Sequence, residues 1–187
     1  MAIGSPANQT EPGKNDHGET ARLFIALWPE AAFASALHAQ CGVCTTDTRT
    51  RVVTPERLHM TLHFLGPVPR QQLPALVSAL RVSLKPFELS FSRCEQWPHG
   101  LLVAVPDTVP PPLVQLHGAL GAVLQGLGLP LDNRPFRPHL TLARRHAGPL
   151  PVPTGPPLHW PVTAYALVES QHTPAGAYHA LQAYGWT

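Results

Sequence analysis

His59-Met60-Thr61-Leu62 and His139-Leu140-Thr141-Leu142 are two copies of one pattern, His-x-Thr-Leu, set in distant parts of the chain. Both sit among apolar residues that read as buried strands. In a strand, successive side chains point to opposite faces, so residues two apart share a face. Each copy therefore sets an imidazole beside a threonine hydroxyl, with Met60 and Leu62, or Leu140 and Leu142, turned the other way. If the two strands meet, two imidazoles and two hydroxyls surround one small space. Such a space suits a phosphodiester: one histidine takes a proton, the other gives one, and the hydroxyls hold phosphate oxygens.

Outward from these copies, the chain alternates short apolar runs with helical spacings. Residues 22–28 form an apolar run closed by Pro29, which reads as a buried strand. Pro29 opens a helix over 29–40 with Ala32, Phe33, Ala36 and Leu37 on its inner face. A short strand is expected at 51–53, then the first motif strand over 58–65, stopped by Gly66-Pro67. Leu73, Leu76, Val77 and Leu80 predict a helix over 69–84; strands follow at 87–94 and 101–105. Leu113, Leu116, Leu120, Val123 and Leu127 mark a third helix, and the second motif strand spans 139–145. Residues 148–157, crowded with Pro and Gly, read as a surface loop before closing strands at 162–170 and 177–184. Strands that alternate with helices yet also arrive in adjacent pairs predict an α+β fold with mainly antiparallel sheets.

With 187 residues, of which 44% are hydrophobic, a sizeable buried core is expected. Residues 1–20 are polar and without apolar periodicity, which predicts a disordered tail ahead of one domain over 21–187. A formal charge of +2 does not by itself point to nucleic acid. Lysine occurs only at Lys14 and Lys85, and arginine grips phosphate through two parallel hydrogen bonds where lysine cannot. Three cysteines do not make a disulfide framework, and Cys41-Gly-Val-Cys44 lacks the second pair a zinc site needs. Neither a secretory signal nor a membrane-crossing run is apparent, so a cytoplasmic protein without a membrane partner is expected.

Three stretches carry a more specific signal: 22–29 (RLFIALWP), 57–66 (RLHMTLHFLG) and 133–144 (NRPFRPHLTLAR). Together they resemble the 2H phosphoesterase superfamily, and within it the RNA 2′,3′-cyclic phosphodiesterases, historically called 2′-5′ RNA ligases. Residues 166–170, with Gly176-Ala-Tyr178 and Leu181, are also similar to the closing strands of that family. The resemblance implies two pseudo-symmetric lobes with outer helices and a cleft between them. It implies His59 as proton donor to the leaving 3′ oxygen and His139 as the base that activates water. Thr61 and Thr141 would bind phosphate, and no cofactor is implied. The implied partner is RNA with a 2′,3′-cyclic phosphate end, such as a tRNA fragment, or a small cyclic nucleotide, met by a monomer. The residues alone do not divide the acid and base roles, because the copies are nearly symmetric.

Further candidates flank the motifs. His63 shares the face of His59 and Thr61 by strict alternation, which makes it a candidate phosphate contact. Arg144 falls on the opposite face and would reach phosphate from the strand end. Arg134 and Arg137 are candidates for RNA backbone, and Phe136 for stacking on a base or for packing in the core. His38, His99, His117, His146, His159 and His179 read as ordinary structural histidines. Two other readings stand beside the enzyme: a metal-dependent phosphohydrolase using His59, His63 and His139, and an RNA- or nucleotide-binding module without turnover.

Overall fold

In the computed structural model, which describes residues 19–42, 49–171 and 177–185, β1 (Thr20–Leu27) lies between two neighbours in its sheet. Leu23, Ile25, Ala26 and Leu27 are fully buried, as expected of a strand apolar on both faces. Helix α1 (Ala31–Cys41) follows, ended by Gly42 in the left-handed region. Its buried residues are Ala34, Leu37 and Cys41, with Phe33 packed partly against the core; Ala32, expected inside, is exposed. After β2 (Arg51–Val52) comes β3 (Met60–Pro69), then the short helix α2 (Leu73–Ala79). The rest of the chain runs β4 (Phe87–Phe91), β5 (Arg93–Trp97), β6 (Leu101–Val105), α3 (Pro111–Gly126), β7 (Leu140–Arg144), β8 (Leu158–Val162), β9 (Ala164–Gln171) and β10 (Ala177–Gly185).

The strands form one sheet in the order β10-β9-β1-β3, a second in the order β2-β7-β6-β5, and a two-stranded piece, β4-β8. Every pairing is antiparallel, and each four-stranded sheet receives one motif strand. Met60 and Leu62 from the first sheet meet Leu140 and Leu142 from the second in one apolar cluster, with Leu37, Leu113 and Leu120 from the helices. The motif leucines thus tie both sheets to a common core. Their polar neighbours are left facing outward.

Several expected boundaries move: β3 runs past Gly66-Pro67 to Pro69 by pairing with β1, and two further changes have a long-range cause. The expected helix over 69–84 contracts to α2, because the Tyr165 hydroxyl shares its one proton between the carbonyls of Leu80 and Val82 and accepts from Val82 N–H. That captures backbone groups a longer helix would need. The expected strand over 87–94 breaks at Ser92, where the Asp107 carboxylate accepts from the Ser90 hydroxyl and from Ser92 N–H and hydroxyl. The break sends β4 and β5 to different sheets. The expected strand over 162–170 is β9, and an unexpected strand, β8, precedes it.

Thr20, expected in the tail, pairs opposite Pro69; residues 1–18 of that expected tail lie outside the described residues, as does Cys44. Cys41 instead meets Cys94, with their sulfurs 2.9 Å apart. Among the described residues, no helix is long and apolar enough to cross a membrane.

Candidate active site

Both motif strands depart from strict alternation at the same place. Ala26 of β1 faces Thr61 and its neighbour Ile25 faces His63, so Leu62 is an extra residue in the ladder. In the second sheet Val103 faces Thr141 and Leu102 faces Ala143, which makes Leu142 the extra residue. A bulge of this kind resets which side the following residues take. It reverses two expectations. Arg144 comes round to the side of Thr141 and lines the cleft. His63 turns into its wall, buried, where its Nε2–H donates to the carbonyl of His117 at 2.8 Å.

The two catalytic candidates stand immediately before β3 and β7, and they are held alike. His59 Nδ1 lies 2.7 Å from the carbonyl of Arg57, and His139 Nδ1 lies 2.8 Å from the carbonyl of Arg137. A carbonyl only accepts, so Nδ1 carries the hydrogen in both rings and Nε2 is the site of proton exchange. Burial holds both imidazoles below the usual histidine range, against the pull of these carbonyl bonds. The Arg144 guanidinium adds to that lowering for both rings, and His139 adds to it for His59.

Two adjoining cavities share Arg144. The smaller, about 230 Å³, is lined by His59 with Thr141, and by Arg51, Arg57 and Tyr178. The larger, about 720 Å³, is lined by His139 with Thr61, and by Phe64, Trp97 and Phe136 among others. Each cavity therefore takes the histidine of one copy and the threonine of the other. The duplicated motif makes one composite site, with the guanidinium at the junction.

Aromatic rings fix the imidazoles from the sides. His59 stacks on Trp28 at 5.0 Å and touches Phe24 and Tyr178. His139 packs on Trp97 at 4.6 Å, and the Arg137 guanidinium covers that indole at 4.0 Å. Arg137 also approaches Glu95 at 3.6 Å. Arg134 is engaged by Asp132 through a forked pair of hydrogen bonds that holds the carboxyl down at about 2. Phe136 stacks on His117 at 4.0 Å, and His117 stacks in turn on His63 at 4.1 Å. One face of Phe136 is thereby covered. Among the described residues no three His, Cys, Asp or Glu side chains gather in a group able to hold a metal ion.

Sequence reading missed Arg51, Arg57, Phe64, Trp97 and Tyr178 as lining residues. Only Arg57 carried a signal. An arginine stands two places before the histidine in both copies, and it is that residue's carbonyl which orients the ring. Phe64 lies on the first motif strand just past its bulge, and Arg51, Trp97 and Tyr178 come from other elements.

Fold and site together define a phosphoesterase of the two-histidine class. The model for the 2′-5′ RNA ligase superfamily matches residues 33–173. An RNA 2′,3′-cyclic phosphodiesterase of Thermus thermophilus is 34% identical over 171 residues, covering 83% of this chain and 84% of that protein. One from Escherichia coli is 34% identical over 153 residues, covering 81% and 85%. The crystal structure of Escherichia coli LigT complexed with 3′-AMP matches with a TM-score of 0.81 at 28% identity, over 90% of this chain and 99% of that one. The chain belongs to the 2′-5′ RNA ligase superfamily.

Proposed function

We propose that this enzyme hydrolyses 2′,3′-cyclic phosphate ends of RNA to 2′-phosphomonoesters, without a metal, by acid–base catalysis between His59 and His139. The observation that carries this reading is the crossed pairing of each histidine with the other copy's threonine around Arg144. A cyclic phosphate at that junction has an Nε2 on either side. His139 Nε2 takes a proton from water as the water oxygen bonds to phosphorus. The P–O3′ bond breaks in line, and His59 Nε2–H gives its proton to O3′. The product carries a free 3′-hydroxyl and a 2′-phosphate. Which imidazole acts as acid follows the family, since both are hydrogen-bonded alike.

Thr61 and Thr141 donate to the non-bridging oxygens, and Arg144 offsets their charge. Hydrogen bonds to charged groups contribute roughly 1.5–3 kcal/mol each. Phe136 and Arg137 line the larger cavity as further contacts for the terminal nucleotide. Arg134, committed to Asp132, has less to offer a phosphate, and His63 acts from inside the wall. The same groups serve ligation, in which a 5′-hydroxyl attacks phosphorus in place of water, the P–O3′ bond breaks, and a 2′-5′ linkage is left.

The test is a short RNA ending in a 2′,3′-cyclic phosphate. A 2′-monophosphate end is expected, formed at the same rate in EDTA. A 3′-phosphate would overturn the assignment of the leaving oxygen, and loss of activity with chelator would favour the metal reading.

A further inference from the structure

The composite cleft accounts for Arg51, Arg57 and Arg144. It leaves a third cavity, about 300 Å³, lined by Arg49, His99, Gly100, Arg145, His146 and Ala147. Among the described residues that line it none is acidic, and Arg145 takes part in no ion pair among them. This contrasts with Arg134 and Arg137, each of which meets an acidic partner.

Two observations mark this cavity as built. His99 (φ 63°) and Arg145 (φ 55°) are the two non-glycine residues with left-handed backbone among the described residues, and both line it. Such conformations are costly for residues with a Cβ and persist where surrounding contacts enforce them, commonly at functional sites. Here the enforcement is visible. His146 N–H donates to Gly100 carbonyl at 2.9 Å, Gln96 Nε2–H donates to His146 carbonyl at 3.2 Å, and the Thr50 hydroxyl donates to Arg145 carbonyl at 3.4 Å. Gly100 lies so close that a Cβ would stand 2.7 Å from the His146 oxygen.

Along the chain, the cavity neighbours the catalytic cleft. Arg51 and Arg144 face each other across the β2–β7 ladder, and both line the smaller catalytic cavity. One residue beyond Arg144 is Arg145, and two residues before Arg51 is Arg49, about 7 Å away along an extended chain. The left-handed turn at Arg145 parts the two consecutive arginines, so one serves the cleft and the next serves the third cavity.

We propose that this third cavity binds a backbone phosphate of the RNA strand upstream of the cyclic end, which makes the preferred substrate a polynucleotide rather than a mononucleotide. The inference rests on the reading of the cleft as the seat of the cyclic phosphate. Arginine side chains supply forked donors suited to a phosphodiester. Contacts of this kind add affinity without reading sequence.

The test compares a 2′,3′-cyclic mononucleotide with a short RNA carrying the same end, using the full-length protein and Arg145→Gln. The variant should leave kcat and KM for the mononucleotide unchanged, which also reports that it folds. For the RNA, KM should rise about tenfold, the loss of one charge-assisted hydrogen bond. The slope of log KM against log salt should flatten by ~0.7, the share of one neutralised phosphate on a single strand. RNAs with a neutral methylphosphonate at single upstream linkages locate the contact: the unaltered protein should lose the same factor at one linkage, and Arg145→Gln should be insensitive there. Equal sensitivity of both proteins at every linkage, or an unchanged KM for RNA in the variant, overturns the subsite. Failure of the unaltered protein to turn over either substrate sinks the reading of the cleft, and the subsite with it.

Discussion

The two copies of the motif agree up to the bulge and diverge immediately after it. Up to Leu62 and Leu142 they match in ring orientation, threonine placement and buried leucines. Two places on, the first copy presents Phe64, about half exposed, and the second presents Arg144. A nearly symmetric pair of strands thus yields a cleft with a cation at its junction and an aromatic ring in the wider cavity. On the proposed reading, symmetry supplies the two proton-transfer groups, and the departure from it supplies direction, with charge for a phosphate at one point and apolar surface for a base at another.

Replacing the symmetric elements should cost most. His59→Gln and His139→Gln keep much of the shape and polarity but cannot exchange the proton, so each should lower kcat on a cyclic-phosphate RNA by ~10²–10⁴. If both transfers belong to one displacement, the double variant should lose far less than the product of the two. Fully multiplicative losses would mean that the copies act in separate steps rather than on one phosphorus at once.

Arg144→Gln removes the asymmetric cation and should come next, at roughly ten- to hundredfold in kcat/KM. It also makes a signed prediction about pH. Burial first, and then the positive charge of Arg144, hold both imidazoles low in the free protein. The bell-shaped profile of kcat/KM, which reports free-enzyme groups, should therefore centre below about pH 6.5. Deleting a nearby cation favours the protonated imidazoles, so both limbs should move to higher pH in Arg144→Gln. A downward shift would contradict the placement of Arg144 between the rings.

How far this was legible in the sequence follows from what a period of two can and cannot encode. It placed Thr61 beside His59 and Thr141 beside His139, because alternation holds within each His-x-Thr. It failed just past the bulge, at His63 and Arg144, because a bulge is set by the register of the partner strand and leaves no mark in the motif. The same limit explains the boundaries that moved. Asp107 cuts the strand at Ser92, and the Tyr165 hydroxyl stops the helix at α2 from far along the chain. Arg51 and Tyr178 reach the cleft from separate elements, and no local pattern announces them.

Phe64→Ala tests the aromatic side of the asymmetry and should have a smaller effect than the arginine. If a nucleobase uses that ring, KM for a cyclic nucleotide should rise about fivefold or more, as aromatic–base contacts of ~1–3 kcal/mol require, with kcat little changed. A fall in kcat at constant KM would instead place Phe64 in the bracing of the motif strand.

The smallest effect concerns what holds the first copy's bulge. His117 of α3 hydrogen-bonds the backbone at Leu62 and is stacked between His63 and Phe136. Desolvation first, with the charge of His63 adding to it, lowers this imidazole to about 4. An unfolded chain protonates the same group near ~6.5, so between those values the unfolded state binds more protons. The stability this neutral stack contributes is therefore present above about pH 6.5 and is lost as pH falls toward 4. The ring is partly exposed, which keeps the effect modest. Unfolding midpoints in urea, followed from pH 7 to 4, should fall less steeply in His117→Phe, which keeps an aromatic in the stack without a group to charge. An equally steep acid fall in the variant would move the sensitivity elsewhere, His63 being the next candidate through its own buried bond to the same helix.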